Sequence, residues 1–121
     1  MNPKLKLLYV EDEESIREEM FEILDLYFDN IYIAKNGQEG LDMYQKHQPD
    51  VVISDIQMPI MDGISMSQEI LNINKNATII LTSAFTEQGY LKKSEAIGIR
   101  HYIAKPIDIN LLLTKIEEVS S

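Results

Sequence analysis

The sequence predicts an α/β fold: a doubly wound sheet of five parallel strands alternating with five helices, in strand order 2-1-3-4-5. Three observations predict it. Short apolar or β-branched runs alternate with stretches of helical spacing, at intervals too short for anything but βα units. The runs at Leu5–Val10 and Val51–Ile53 are almost wholly apolar, as strands buried on both faces require. Most runs stop abruptly at polar or turn residues, the carboxyl ends at which open α/β sheets place their ligands. Crossovers between parallel strands are right-handed, so the helices divide over both faces.

In order, Leu5–Val10 is a first strand that ends in Glu11-Asp12-Glu13-Glu14. Asp12 can cap the next helix, and acids suit the positive end of its dipole. Ile16, Met20, Ile23, Leu24 and Tyr27 recur at helical spacing and predict a helix over 14–28. Asp29-Asn30 turns the chain into a strand at Ile31–Ala34, which Asn36-Gly37 breaks. Leu41, Tyr44 and His47 mark one face of a second helix, loosened by Gly40 and closed by Gln48-Pro49-Asp50. Val51 starts the strand that carries Asp55. Pro59 has no N–H and keeps Met58 out of the helical region, so a loop must follow before Asp62-Gly63 turns into a helix over 64–73. Ala77–Thr82 is a fourth strand, 87–97 a fourth helix with Gly98 as its C-terminal cap, and 100–104 a fifth strand. Asp108 caps a last helix in which Ile109, Leu112, Leu113, Ile116 and Val119 share a face.

The totals bound the function. The chain has 121 residues, 45% hydrophobic and 26% charged, which fits one domain over 1–121. No run approaches the length of a membrane span, and Met-Asn-Pro-Lys-Leu-Lys is too polar for a signal peptide. Without cysteine, a disulfide framework and a thiolate metal site are both excluded, and a cytoplasmic location is the simplest expectation. Eleven basic against twenty acidic residues give a net charge of −9, the wrong sign for direct binding to nucleic acid or an anionic membrane.

The 2-1-3-4-5 order sets Glu11 and Asp12 beside Asp55, with Ser83 and Lys105 on the same edge. Three neighbouring carboxylates repel and raise one another's pKa values, which a hard cation relieves. Mg²⁺, or Mn²⁺ in its place, suits one or two carboxylates, retained waters and a substrate phosphate.

Four motifs in order, each at a strand end, carry a resemblance: Glu11-Asp12, Asp55-Ile-Gln-Met-Pro-Ile-Met-Asp-Gly63, Ser83-Ala84 and Tyr102-Ile-Ala-Lys-Pro106. Over nearly its whole length the chain resembles the receiver domain of bacterial two-component response regulators, whose fold is flavodoxin-like. The resemblance implies that Asp55 accepts a phosphoryl group from a phosphohistidine on a sensor kinase or histidine phosphotransfer protein. It implies that Asp12 and Asp55 ligate Mg²⁺ directly, that Glu11 acts through water, and that Gln57 offers its backbone carbonyl. Lys105 would neutralise the transferring oxygens, Ser83 would hydrogen-bond the acyl phosphate, and small Ala84 would leave room for it. Thr82 and Ser83 both carry hydroxyls; the family sets its hydroxyl just before a small residue, which selects Ser83. Tyr102 fits the aromatic whose turning is linked to that hydroxyl, with helix four, strand five and helix five as the coupled face. A cis Lys105–Pro106 bond is implied as well. The output would be a downstream effector protein or an attached output domain, and the chain would phosphorylate and dephosphorylate only itself.

The sequence departs from the commonest pattern at Glu11, where aspartate is more usual, at Gly40, and at Ile107, where an aromatic often follows Lys-Pro. His47 and His101 have no second ligand at useful spacing and read as structural or solvated. Met58, Met61 and Met66 read as packing around the loop. Ile16 and Met20 read as partly core, although the family's kinase-docking surface includes their helix. An aspartate-nucleophile phosphatase of the haloacid dehalogenase type would need a second acid where Gln57 stands. A flavin carrier would need a Gly- and hydroxyl-rich phosphate loop where the chain has Glu11 to Glu14. A degenerate receiver that binds partners without phosphorylation is the remaining alternative.

Overall fold

A computed structural model describes residues 2–120, the Phe85 side chain excepted. Its strands are β1 (Lys6–Val10), β2 (Asn30–Ala34), β3 (Val51–Asp55), β4 (Ile79–Ser83) and β5 (His101–Ala104). The helices are α1 (Glu14–Asp25), α2 (Gly37–His47), α3 (Gly63–Ile73), α4 (Gln88–Ala96) and α5 (Ile109–Ser120). The strands form one parallel sheet in the order β2-β1-β3-β4-β5. The sequence predicts this architecture correctly.

Strand alternation sorts the core into two layers. Leu7, Tyr9, Ile53, Ile80 and Ile103 pack against Met20 and Leu24 of α1 and Leu112 and Ile116 of α5. Leu8, Val10, Val52, Ile79 and Leu81 face α2 and α3 through Leu41, Tyr44, Met66 and Ile70. The residues of β3 are buried from Val51 to Asp55, because both faces of this central strand are covered. Tyr102 of β5 lies on the second layer, beside Tyr90, Leu91 and Ile97 from the α4 region.

Several boundaries differ from expectation for local reasons. α1 stops at Asp25 rather than residue 28, since Leu26 and Tyr27 close the end with N–H bonds to the Ile23 and Leu24 carbonyls. The expected Asp12 cap is not made: Glu13 is the residue ahead of α1, and its N–H is taken by the Glu11 carboxylate at 3.1 Å. β4 starts two residues later than expected and includes Ser83, whose carbonyl accepts the Lys105 N–H at 2.9 Å. A 3-10 turn, Phe85–Glu87, precedes α4, where sequence periodicity has no signature for it. Asp108 caps α5 as expected, its Oδ1 accepting the Asn110 and Leu111 N–H groups. Gly98 has φ +104° just beyond α4, the left-handed conformation expected of a helix-closing glycine. The Lys105–Pro106 bond is cis.

Candidate functional site

The site lies at the carboxyl ends of β1, β3, β4 and β5. Val10 pairs with Ser54, Asp55 with Thr82, and Ser83 with Ala104, so the predicted motifs share one edge. Glu11, Asp12 and Asp55 each bring a carboxylate oxygen to within 4.8 Å of the others. Glu11 and Asp55 are buried while Asp12 is exposed. Freed from the helix-capping role, Asp12 is available to a ligand entering from solvent.

The loop after β3 explains why Asp55 is held so firmly. Its Oδ1 accepts the N–H of Ile56 at 2.9 Å and the Lys105 ammonium at 2.5 Å. Gly63 N–H then bonds back to the Ile56 carbonyl at 2.7 Å, folding the loop against the strand end. A Cβ on Gly63 would collide with the Asp55 carbonyl oxygen, so only glycine permits this approach. Ile60, at the apex of the same loop, has φ 72°, a left-handed conformation costly for a β-branched residue.

Electrostatics follow from burial. Burial pushes the Glu11 carboxyl up to about 7; the Glu13 N–H partly opposes this, and the Asp55 charge adds to it. Burial also raises Asp55, although the Lys105 hydrogen bond and charge pull the other way. For Lys105, burial alone would lower the ammonium, but bonding to Asp55 and the charges of Asp55 and Glu11 reverse the sign. The lysine therefore stays cationic, and the cleft disfavours its own carboxylate charge. Oxygen donors of this kind, crowded and short of positive charge, fit a hard divalent cation.

The two hydroxyls of β4 part company as alternation requires. Thr82 is buried and its Oγ1 donates to the Ser54 carbonyl at 3.4 Å. Ser83 is half-buried and points to the opposite face of the sheet, the face that carries Tyr102. The Tyr102 hydroxyl lies 2.6 Å from Ser94 Oγ on α4 and 3.3 Å from the Ile99 carbonyl, its acceptor. Gln57 is exposed, two residues beyond Asp55. The histidines stand apart: His47 stacks on Tyr32 with ring centroids 4.0 Å apart, and His101 lies near Lys115 and Arg100.

Two residues at the site escape prediction from the sequence. Arg17 reaches back from α1 to the Glu11 carbonyl at 2.9 Å and the Asp12 carbonyl at 3.4 Å, pinning the acidic loop. Its position, one turn into an acid-headed helix, is the only signal that could have found it. Glu87 is buried and accepts hydrogen bonds from Gln57 Nε2 and the Ala84 N–H. It gives no signal in the sequence, because its donors come from two separate segments. Beside the site, a groove of about 560 Å³ is lined by Glu11, Ile16, Met20, Lys105 and Ile107.

Compared with known proteins, residues 7–117 match the family described as the response regulator receiver domain. The chain is 35% identical over 114 residues to the chemotaxis protein CheY of Halobacterium salinarum, covering 94% of this chain and 95% of that protein. It is 35% identical over 106 residues to the transcriptional regulatory protein HptR of Staphylococcus aureus, covering 85% of this chain and 41% of HptR. Among solved structures, a chain of the CheX–CheY–BeF₃–Mg²⁺ complex from Borrelia burgdorferi aligns with a TM-score of 0.86 at 30% identity, over 97% of this chain and 90% of that one.

Proposed function

The chain belongs to the response regulator receiver domain family, and we propose that it is a phosphorylation-dependent signalling switch in which Asp55 is the phosphoacceptor. One observation carries this reading: Lys105 bridges Asp55 at 2.5 Å on a strand edge that also gathers Glu11 and Asp12. The donor would be a phosphohistidine of a sensor kinase or histidine phosphotransfer protein. An Asp55 carboxylate oxygen attacks phosphorus, a P–O bond forms as the P–N bond breaks, and the imidazole leaves with the electron pair.

Catalysis of such a transfer consists mainly of positioning and charge neutralisation. Both hydrogen bonds described for the Asp55 carboxylate fall on Oδ1, which orients the group. The Lys105 ammonium, already at the carboxylate, neutralises charge on the transferring oxygens. Ser83 supplies a hydroxyl to the acyl phosphate, and Ala84 leaves the space it enters. Asp12, Asp55, the Gln57 carbonyl and, through water, Glu11 would hold Mg²⁺ or Mn²⁺, which supplies the remaining neutralisation when bound. The chain acts on itself, with slow hydrolysis of its own acyl phosphate and no turnover of an external substrate.

The groove along Ile16, Met20 and Ile107 opens directly onto Glu11 and Lys105, which suits it to receive the phosphodonor protein. Tyr102 and Ser83 share the α4 face, which suits the α4–β5–α5 surface to carry the signal to an effector or an attached output domain. None of the described helices is long and apolar enough to cross a membrane.

Intact mass after incubation with acetyl phosphate, with and without Mg²⁺, tests the proposal. A Mg²⁺-dependent gain of one phosphoryl group in the wild type and none in Asp55→Asn is expected. No gain in the wild type would leave the phosphorylation-independent interaction module as the better reading.

A further inference from the structure

Glu87 is a fourth carboxylate at this edge, and the phosphotransfer itself does not use it. It ends the 3-10 turn and adjoins α4, yet it is only 4% exposed. An acid at that depth needs donors. It has two: Oε1 accepts the Ala84 N–H at 2.7 Å, and Oε2 accepts Gln57 Nε2 at 3.0 Å. Both donors belong to segments that frame Asp55, since Ala84 follows Ser83 and Gln57 lies two residues past the phosphoacceptor. The Glu87 charge is felt at the centre of the site, where it raises both Asp55 and Lys105.

We propose that Glu87 is a resident anion: it occupies the Ala84 N–H while Asp55 is unmodified, and yields that donor when a phosphoryl group arrives. The inference rests on the phosphoacceptor reading of Asp55 and names a regulator of that same site. A phosphoryl group brings up to about two negative charges into a cleft already crowded with carboxylates. Repulsion between like charges is strongest where water is scarce, and Glu87 is the buried acid on the side of the cleft bounded by β4. A single backbone N–H makes one good hydrogen bond, so carboxylate and phosphoryl oxygen compete for it.

Displacement would have a direct consequence for α4. At its start the helix is tethered through Glu87 to Ala84 and Gln57, and near its end through Ser94 to Tyr102. Loss of the first tether loosens the segment 85–88 and leaves α4 held by the Ser94–Tyr102 contact and the partly buried Tyr90 and Leu91. Glu87 is therefore a positioning residue that converts new charge at Asp55 into movement of α4.

The test follows the Ala84 backbone amide by ¹H–¹⁵N NMR and the phosphorylation rate by intact mass, with acetyl phosphate and Mg²⁺, in wild type, Glu87→Gln and Glu87→Ala. In the wild type the Ala84 amide should shift on phosphorylation, and its resting position should differ from that in both variants. Both variants should be phosphorylated about three- to tenfold faster at subsaturating donor, because one competing charge is gone. Equal or slower phosphorylation of well-folded variants would reduce Glu87 to a capping residue and overturn the inference. If neither variant folds, the wild-type amide decides, and an Ala84 resonance that phosphorylation leaves in place overturns it. A wild type that gains no phosphoryl group overturns the phosphoacceptor reading and this inference together. Phosphorylation of wild type without the Glu87 effects overturns this inference alone.

Discussion

Glu11→Gln should change how stability depends on pH, and the size of the effect can be worked from the site. Burial, with a contribution from the Asp55 charge, moves the Glu11 carboxyl from 4.5 to about 7. Between those two values the unfolded chain has released the proton while the folded chain still holds it. Stability therefore falls as pH rises through this window, and is level with respect to this group below and above it. At about 1.4 kcal/mol per pH unit, the span corresponds to roughly 3 kcal/mol at most. Asp55, also raised, adds a slope of the same sign, and so does general repulsion in a chain of net charge −9. Those contributions persist in large part in Glu11→Gln, so the difference between the two proteins isolates Glu11. The assay is urea unfolding at steps from about pH 4.5 to 8, in the presence of a chelator and again with Mg²⁺. Without Mg²⁺ the wild type should lose more stability than the variant across the window. With Mg²⁺, which favours the deprotonated site, the gap should close. Parallel wild-type and variant curves, or a wild type that gains stability relative to the variant as pH rises, would refute the burial argument.

The β3–α3 loop supplies two further predictions. Gly63→Ala should destabilise by about 3 kcal/mol or more and abolish phosphorylation, because the new methyl would strike the backbone of Asp55 itself; thermal melting and intact mass check this. Ile60→Gly should stabilise by about 1 kcal/mol in urea titration, since it releases a left-handed β-branched residue that is 83% exposed and contributes little burial.

What the sequence reveals depends on how local each interaction is. β3 is legible because its β-branched run sits between two covered faces and ends on Asp55, so neither helix nor exposed strand fits. The parallel βα architecture is legible from the alternation of runs, whereas the order 2-1-3-4-5 is one of two common doubly wound orders and is fixed by the strand pairing itself. The start of α1 at residue 14 is legible, but its cap is misread because two acids lie ahead of the helix. Asp12 has the right chemistry to cap α1, but the Glu11 carboxylate reaches the Glu13 N–H instead. Arg17 and Glu87 are invisible for a different reason. Their partners are set by the folded chain, Arg17 on the carbonyls of a loop and Glu87 on donors contributed by residues 57 and 84. The split between Thr82 and Ser83 lies in between. Alternation separates them, but only the β4 register shows Thr82 engaged with the Ser54 carbonyl and Ser83 on the face of Tyr102.

The same distribution of contacts indicates which part of the molecule can respond to chemistry at Asp55. α5 buries Leu112, Leu113 and Ile116, and α1 buries Met20 and Leu24, so moving either would expose large apolar surface. α4 is nine residues long, and its only fully buried residue is Ser94, a polar side chain held by hydrogen bonds. Its apolar contacts are partial, through Tyr90 and Leu91, and its buried anchors are polar, Glu87 ahead of its start and Ser94 with Tyr102 near its end. Polar tethers exchange partners at little net cost, whereas apolar packing does not. A phosphoryl group competing for one such tether would act on the helix least committed to the core, which is where a switch needs its low-stability element.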